Sequence, residues 1–339
     1  MARITLNDIA EKANVSPSTV SRVLNNYEFV DETTRQTVLE IARDLGYPFK
    51  RFSETPEAIR TVLVTGMGDS GHLDHTARNS LEFASHILAG AESVLQLHGI
   101  TVRSQIQIAP QWHSSIEEYI HSNPGLEGLI LLGGYINFAL VERLQSIGLP
   151  FVIVGGHPRS IRVNCVIADY KHGIEKAIDL LAAQGRRNIC LLNGLPYTIT
   201  SVEKYKGFRL ALALHDYAFS PEQIVEAEFT VDEGQTAMRR ILAHNPDLDA
   251  VICGDDYQAI GAMRALQEQG RRIPHDVAVI GHHNYEIAEL TQPALTTIDL
   301  GTSLMGRLAG QRLLNMLDGQ DQDIWSILAP VTLIERGST

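Results

Sequence analysis

The chain has 339 residues and a net charge of −12, and 44% of its residues are hydrophobic. This length is too great for one compact core, so two or three domains are expected. No stretch approaches the roughly 18 uninterrupted apolar residues of a membrane span, and the first residues lack the apolar segment of an export signal. The three cysteines are an odd number without metal-ligand spacing, which favours the reduced thiols of a cytoplasmic protein over disulfides.

Two short helices joined by a tight turn are predicted near the start of the chain. Apolar residues recur at helical spacing on one face of the first helix: Leu6, Ile9, Ala10 and Ala13. A similar face follows on the second helix, formed by Val20, Val23 and Leu24. Thr5 is predicted to cap the first helix with Asp8 as its partner, and Asn14 to adopt a left-handed conformation. Ser16 is predicted to cap the second helix, with Pro17 at its first position.

The outward side chains of the second helix indicate DNA binding. They are of types that hydrogen-bond phosphates and base edges: Ser18, Ser21, Arg22 and Asn25. A third amphipathic helix follows. The alternative is an ordinary packed helix pair, but it would not explain the exposed polar face of the second helix. The preferred interpretation is a helix-turn-helix whose second helix enters the major groove. Up to Phe52 there are seven basic and seven acidic residues, so weak non-specific binding and dependence on dimerisation are expected.

Two segments, Thr5–Ala10 and Val15–Asn25, resemble the headpiece of the lactose/galactose-repressor family of bacterial regulators. The run Thr-Val-Ser-Arg-Val-Leu-Asn at 19–25 is highly specific to that family, and the resemblance continues through the chain. It implies a homodimeric transcription factor that binds double-stranded operator DNA and a small-molecule effector, usually a sugar or a nucleobase. The DNA contacts expected on this basis are Thr5, Leu6, Ser16, Pro17, Ser18, Ser21, Arg22, Asn25 and Thr34.

A hinge is predicted at residues 48–60, between the headpiece (residues 1–47) and the remaining chain. Relatives carry a Pro-Asn pair here and a short helix whose leucine enters the DNA minor groove. This chain has no leucine between Gly46 and Ala58, and Pro56 would interrupt a hinge helix. The wedge is therefore expected to be missing, or to be supplied by another apolar residue: Phe49, Phe52 or Ile59.

Short apolar strands alternate with amphipathic helices in residues 61–339, which predicts parallel sheets covered on both faces. The first set of predicted strands is Thr61–Thr65, Val102–Ile108, Leu126–Leu132 and Pro150–Val154. The second set is Cys165–Ala168, Asn188–Leu192, Ile224–Phe229, Ala250–Cys253 and Val277–Ile280. The predicted fold is thus an all-α headpiece followed by two open α/β lobes of the periplasmic-binding-protein type. Lobe 1 is expected at about 61–162 and 294–325, and lobe 2 at about 163–293 and 326–339.

A long solvated loop is predicted at Met67–Asn79. His72 and His75 within it have a spacing that would suit one helical face or a metal pair. The surrounding glycines and serine favour a loop, so no metal site is predicted there.

An effector site is expected beyond the carboxyl ends of the strands, between the lobes. By the resemblance, Lys204 replaces an arginine that reaches into the family's effector cleft, and Asp255 with Asp256 matches an acidic strand end. His283 stands where relatives carry an aspartate. Helix capping is the alternative role for the two aspartates, and a metal held with the neighbouring histidines ranks last. The expected effector contacts are Phe83, Lys204, Asp255, Asp256 and His283.

The preferred hypothesis is a cytoplasmic, homodimeric regulator, a repressor, with a sugar as effector. One alternative keeps the DNA-binding role but takes a non-sugar effector or a partner protein, because the pocket departs from the family pattern. Another is an enzyme with a vestigial headpiece, although there is no nucleophile elbow, Walker-type lysine loop or two-cysteine metal pair. No cofactor or membrane partner is predicted. If His283 keeps an ordinary pKa near 6.5, effector affinity should change between about pH 6 and 8.

Overall fold

The chain divides into two compact units in the computed structural model, Met1–Glu57 and Ala58–Thr339. The structure describes residues 5–24, 30–45, 60–66, 73–105, 118, 120–133, 138–156, 161–319 and 323–339. Residues 48–59 of the predicted hinge, with the three candidate wedge residues Phe49, Phe52 and Ile59, lie outside these ranges, as do Asn25 and His72.

The first unit contains the predicted helix-turn-helix and a third helix packed on it. Its helices are α1 (Leu6–Ala13), α2 (Pro17–Leu24) and α3 (Glu32–Asp44). One small core joins them, formed by Ile9, Ala10, Val20, Val23, Val38 and Ala42. The apolar spacing of the sequence therefore identified the packed faces correctly.

The second unit contains two six-stranded sheets. The first is built from β1 (Thr61–Gly66), β2 (Thr101–Gln105), β3 (Leu126–Leu132), β4 (Phe151–Val154), β5 (Cys165–Ala168) and β11 (Ser326–Ala329). The second is built from β6 (Ile189–Asn193), β7 (Ile224–Glu226), β8 (Ala250–Cys253), β9 (Ala278–His282), β10 (Thr296–Asp299) and β12 (Thr332–Ile334). Their strand orders are equivalent, β11-β5-β4-β3-β1-β2 and β12-β10-β9-β8-β6-β7. All pairings are parallel except the antiparallel pair β10–β12.

Helices connect the strands in both lobes. They are α4 (Leu73–Leu95), α5 (Phe138–Ile147), α6 (Tyr170–Ala183), α7 (Ile199–Leu214), α8 (Val231–His244), α9 (Asp256–Glu268), α10 (Ile287–Leu290) and α11 (Thr302–Leu317), with 3-10 turns at Gln96–His98 and Pro221–Gln223. In the described part of the chain, no helix is both long and apolar enough to cross a membrane.

The predicted lobe boundaries were wrong at three places where the chain crosses between lobes. Cys165–Ala168 pairs with β4 in the first sheet, so residues 163–168 do not belong to lobe 2. Thr296–Asp299 pairs with β9 in the second sheet, and Ser326–Ala329 returns to the first sheet beside β5. A buried apolar strand fits either sheet equally well, so its sequence pattern does not reveal which edge it joins.

Element boundaries also differ from prediction. Helix α4 begins at Leu73, so the second half of the predicted loop at Met67–Asn79 is helical. Strand β7 ends at Glu226, three residues earlier than predicted. Phe229 therefore lies in the loop before α8 and not in the strand. Among the described residues, no cluster of three or more His, Cys, Asp or Glu side chains could hold a metal ion.

Helices α4 and α11 cross closely because glycines lie at their contact. A Cβ atom added to Gly90 would lie 2.1 Å from the carbonyl oxygen of Ser303. A Cβ atom added to Gly306 would lie 2.2 Å from the carbonyl oxygen of Ile87. No side chain fits at either position without moving backbone. This crossing fixes α4, in which the half-buried residues Glu82 and Phe83 contact the second lobe.

Capping side chains begin four helices of the second lobe, at Asp169, Thr198, Thr230 and Asp255. Each accepts a hydrogen bond from a backbone N–H in the first turn, a donor that has no acceptor within the helix. Helices α7, α8 and α9 follow parallel strands of the second sheet, so their first turns gather at its carboxyl ends. Polar groups therefore concentrate at this edge.

Candidate functional site

The turn between α1 and α2 has the predicted capping geometry. The backbone N–H and hydroxyl of Thr5 donate to Asp8 at 2.6 and 2.8 Å, and these bonds lower the pKa of that carboxyl. Asn14 adopts the left-handed conformation at φ 52°. The hydroxyl of Ser16 accepts from the Thr19 N–H at 3.1 Å, so Ser16 is the N-cap of α2. These contacts confirm the helix boundaries read from the sequence.

The start of α2 presents a cluster of hydroxyls. The Ser16 oxygen lies 2.7 Å from that of Ser18 and 2.8 Å from that of Thr19. Ser16, Pro17 and Ser18 are exposed. Hydroxyls and free N–H groups at a helix N-terminus form a local site that attracts phosphate, even in a domain without net positive charge.

The remaining expected DNA contacts surround this cluster. Arg22 is exposed one turn further along α2, and Ser21 is half-buried. Thr5 is exposed and Leu6 half-buried at the start of α1. Thr34 is half-buried in the first turn of α3, where its N–H donates to Asp31 at 2.9 Å. The bonds from Thr34 and Thr33 lower the pKa of Asp31 to about 2.

Lys204 lies buried at the carboxyl edge of the second sheet, with 1% of its surface exposed. Its ammonium donates to the carbonyl oxygen of Gly254 at the end of β8. The Tyr170 and Phe229 ring centres lie 5.3 and 5.1 Å from the same ammonium. Burial lowers the pKa of Lys204 to about 8, against the opposing effect of the Asp255 and Asp256 carboxyls. Lys204 is therefore a cation held partly by aromatic faces.

Asp255 has the capping role that was the alternative reading of its position. Its side chain accepts from the Gln258 N–H at 2.7 Å. Gln258, which sequence reasoning missed, is fully buried, and its amide nitrogen donates to the carbonyls of Ala227 and Glu228 at 2.9 and 3.0 Å. Its amide oxygen accepts from the Gly254 N–H at 3.0 Å. Gln258 thus ties the ends of neighbouring strands together beneath the site.

Asp256 is fully buried, and its carboxyl group already accepts hydrogen bonds from two groups of the protein. It accepts from the Tyr285 N–H at 2.7 Å and from the Thr297 hydroxyl at 2.5 Å. Burial raises the pKa of this carboxyl well above its ordinary value. In this arrangement Asp256 acts on the site by placing Tyr285, the residue on which His283 stacks.

His283 links the two lobes. Its φ of 96° lies in a region that non-glycine residues rarely adopt. Its ring stacks on Tyr285 at a centroid distance of 4.9 Å and meets the Phe83 ring edge-on at 5.9 Å. Phe83 belongs to α4 of lobe 1, and the neighbouring Glu82 carboxylate accepts from the Glu286 N–H at 2.9 Å. Among the described residues, an aromatic contact and a hydrogen bond therefore bridge the cleft.

The expectation of an ordinary pKa at His283 was wrong. Burial of the ring, together with the nearby Lys204 ammonium, lowers its pKa to about 3. The adjacent His282 is fully buried, with its pKa lowered well below the ordinary value for the same two reasons. Both imidazoles are therefore neutral between pH 6 and 8, because charging them inside this enclosure is unfavourable.

The two units match two known protein families. Residues 5–48 match the bacterial regulatory proteins of the lacI family, and residues 178–339 match a periplasmic binding protein-like domain. The HTH-type transcriptional regulator CelR of Thermobifida fusca is 30% identical over 348 residues, covering 99% of this chain and 98% of the relative. The chain belongs to the lacI family. The ribose operon repressor of Haemophilus influenzae is 28% identical, with 98% of each chain covered.

Solved structures of family members share the whole architecture. A transcriptional regulator CelR–cellobiose complex matches with a TM-score of 0.75 and 28% identity, covering 99% of this chain and 100% of that one. A lac repressor dimer bound to operator and an anti-inducer matches in fold, with a TM-score of 0.70 and 23% identity over 99% of each chain. The predicted family and fold class are confirmed. This lacI-family member is a DNA-binding regulator of transcription, and the relatives it matches are regulators rather than enzymes.

The site also contains residues that the sequence reading missed. Besides Gln258, they are Asn193, Phe229 and Tyr285. Phe229 follows a strand end and Tyr285 follows His283, but no spacing rule connects either to Lys204. One signal was available: Asn193, Phe229 and Tyr285 each lie within three residues of a strand end, the edge where α/β folds bind ligands.

Proposed function

We propose that this regulator is a cytoplasmic repressor that binds a palindromic operator as a homodimer and responds to a sugar held between its lobes. The observation that carries this proposal is the meeting of Phe83 and His283 across the cleft. A ligand placed there would touch both lobes, so it would favour one lobe arrangement over another. Ligand and operator binding would then be thermodynamically linked.

The DNA contact is proposed for the exposed face of α2. Arg22 suits a guanine edge, which offers two acceptors to a guanidinium, while the hydroxyls of Ser16 and Ser18 suit phosphates near the helix N-terminus. Pro17, Ser21, Thr5, Leu6, Asn25 and Thr34 complete the proposed contact surface. Since the headpiece has no net charge, two copies acting together would supply affinity that one headpiece lacks.

The effector contact is proposed for Lys204, Asp255 and the rings of Phe83 and His283, with Asp256 acting through Tyr285. Hydroxyl groups can donate to a carboxylate and accept from an ammonium, and flat rings suit the apolar face of a sugar. A relative is described in complex with cellobiose, and another represses a ribose operon. Both descriptions support a sugar as the first ligand class to test.

A thermal-shift screen tests the effector role. The full chain is heated with ribose, cellobiose and other neutral sugars, with nucleobases, and with phosphorylated metabolites. A ligand that binds only the folded state raises the melting temperature. Each hit is then added to a fluorescence-anisotropy titration of the operator. The factor by which the ligand changes operator affinity should equal the factor by which the operator changes ligand affinity.

A second candidate keeps the DNA-binding role but replaces the sugar. Two differences from the family pattern favour it, namely Lys204 in place of an arginine and His283 in place of an aspartate. A nucleobase or phosphorylated metabolite that shifts operator affinity, in a screen where every neutral sugar fails, would select this candidate.

A further inference from the structure

Four buried side-chain atoms in the described part of the chain have no hydrogen-bond partner. All four are at or next to the carboxyl ends of strands: Thr65 Oγ1 near the end of β1, Asn193 Oδ1 at the end of β6, His282 Nε2 at the end of β9, and His283 Nδ1 just after it. Buried polar atoms in folded proteins are nearly always paired, so a group of exceptions at one edge calls for an explanation. The three in lobe 2 belong to the edge that holds Lys204.

The hydrogen bonds of His282 determine which of its nitrogens carries the proton. Its Nδ1 atom lies 2.8 Å from the carbonyl oxygen of Cys253, which can only accept, so Nδ1 is the protonated nitrogen. Burial and the Lys204 ammonium oppose a second proton and lower the pKa of the ring. The unpartnered Nε2 atom is therefore a hydrogen-bond acceptor without charge.

Asn193 presents a second acceptor of the same kind. Its amide nitrogen donates to the carbonyl oxygen of Ser201 at 2.9 Å, which leaves its amide oxygen as the unpartnered atom. The side chain is 2% exposed. Like the Nε2 atom of His282, this oxygen needs a donor and carries no charge.

The Lys204 ammonium already has partners within the protein. It bonds to the carbonyl of Gly254, and the His282 ring bonds to the preceding carbonyl, that of Cys253. The ammonium is near enough to the ring to lower the pKa of the ring. Asp255 and Asp256 act on the same ammonium and raise its pKa. An anionic ligand would find a cation already faced by carboxyls, beside two acceptors that repel its oxygens.

We propose that Asn193 and His282 are specificity-determining acceptors, which select an uncharged effector that donates hydrogen bonds and disfavour its carboxylated or phosphorylated derivatives. This inference rests on the proposed effector role of the cleft. An uncharged sugar has the required chemistry, because its hydroxyls donate to both acceptors.

Calorimetric titration of the full chain with matched sugars tests the proposal. The probes are glucose, glucuronate and glucose 6-phosphate, then ribose and ribose 5-phosphate, then cellobiose and cellobionate. The expected result is at least about tenfold tighter binding of an uncharged sugar than of its own anionic derivatives. This is the change produced by leaving one buried acceptor unpaired. Tighter binding of any anionic member than of its neutral parent would overturn the class assignment.

A substitution identifies the acceptor. His282→Phe keeps a ring of similar size but removes Nε2, and His275→Phe is the matched control at an exposed histidine of the same lobe. His282→Phe should weaken binding of the tightest neutral sugar by about tenfold, with the control unchanged. Circular dichroism and operator affinity without ligand report whether the variant folds. Unchanged sugar affinity in a folded His282→Phe variant would overturn the role of His282.

Deoxy sugars test the same hydrogen bond by changing the ligand, so the wild-type chain can be compared with His282→Phe. Removing the hydroxyl that donates to Nε2 should weaken binding to wild type by about tenfold but leave binding to His282→Phe unaffected. If no monodeoxy derivative shows this pattern, the acceptor role is wrong. If an anionic sugar binds tightest and still shifts operator affinity, the ligand class fails while the regulatory function stands. If no ligand of any class binds or shifts operator affinity, both proposals fail.

Discussion

The helix-turn-helix unit and the inter-lobe cleft differ in how far apart along the chain their functional residues lie. In the first unit, the contacts that shape the turn join residues five or fewer positions apart, such as Thr5 with Asp8, Val15 with Ala10 and Ser16 with Thr19. In the cleft, the bond between Glu286 and Glu82 joins residues 204 positions apart. A geometry that depends on nearby residues can be predicted from a short sequence pattern. A contact between distant residues depends on the whole fold, so no short pattern predicts it.

The largest effect is expected where the cleft depends on distant packing. Gly306→Ala places a methyl group against the Ile87 backbone, so the second unit should lose about 3 kcal/mol of stability. Gly310→Ala, one turn along α11, is the control, because its Cβ would meet its nearest atom at 3.3 Å. Denaturation followed by circular dichroism separates the two variants. Equal stability of the two would show that the α4–α11 crossing adapts easily.

Specific DNA binding should be lost next, through a change in the local unit. Arg22→Ala removes the proposed base contact and should cost roughly 1–3 kcal/mol of operator affinity with the fold intact. Lys12→Ala removes an equal charge from an exposed position on α1 and serves as the control. Anisotropy titrations with operator and with scrambled DNA measure both variants. An Arg22→Ala variant with wild-type affinity for operator would contradict the proposed base contact.

This contrast shows how much could be predicted from the sequence. The caps at Ser16 and Asp255 were predicted, because each depends on a backbone N–H three residues away. Phe83 and His283 were both expected at the effector site, but their direct ring contact and the pairing of Cys165–Ala168 with β4 were not predicted. Phe83 belongs to the other lobe, and the sequence of an apolar strand does not indicate which strands it pairs with. The family resemblance identified which residues lie in the cleft but not which groups surround them. The surrounding groups determine the pKa of His283, so its protonation was not predicted.

A smaller effect is expected from the cap of the recognition helix. Ser16→Ala removes the acceptor for the Thr19 N–H and should destabilise the first unit by about 1 kcal/mol. Thr230→Ala, the equivalent cap of α8, is the matched change in the second unit. Hydrogen exchange at the N-terminal turn of each helix locates the two losses. Destabilisation of the second unit by Ser16→Ala would show that the units do not unfold separately.

A final effect is a pH dependence that should come from Lys204 and not from His283. Because the pKa of His283 is lowered to about 3, its ring stays neutral between pH 6 and 8, and His283→Asn should not change how effector affinity varies over that range. The folded-state pKa of Lys204 is about 8, below its unfolded value of 10.5. Between these values the unfolded chain binds more protons, so the contribution of Lys204 to stability rises with pH; below pH 8 both states are protonated and the contribution is constant. The unfolding free energy of wild type relative to Lys204→Met should therefore increase from pH 8 to 10. A difference that stays level across that range would mean that Lys204 keeps its ordinary pKa despite its burial.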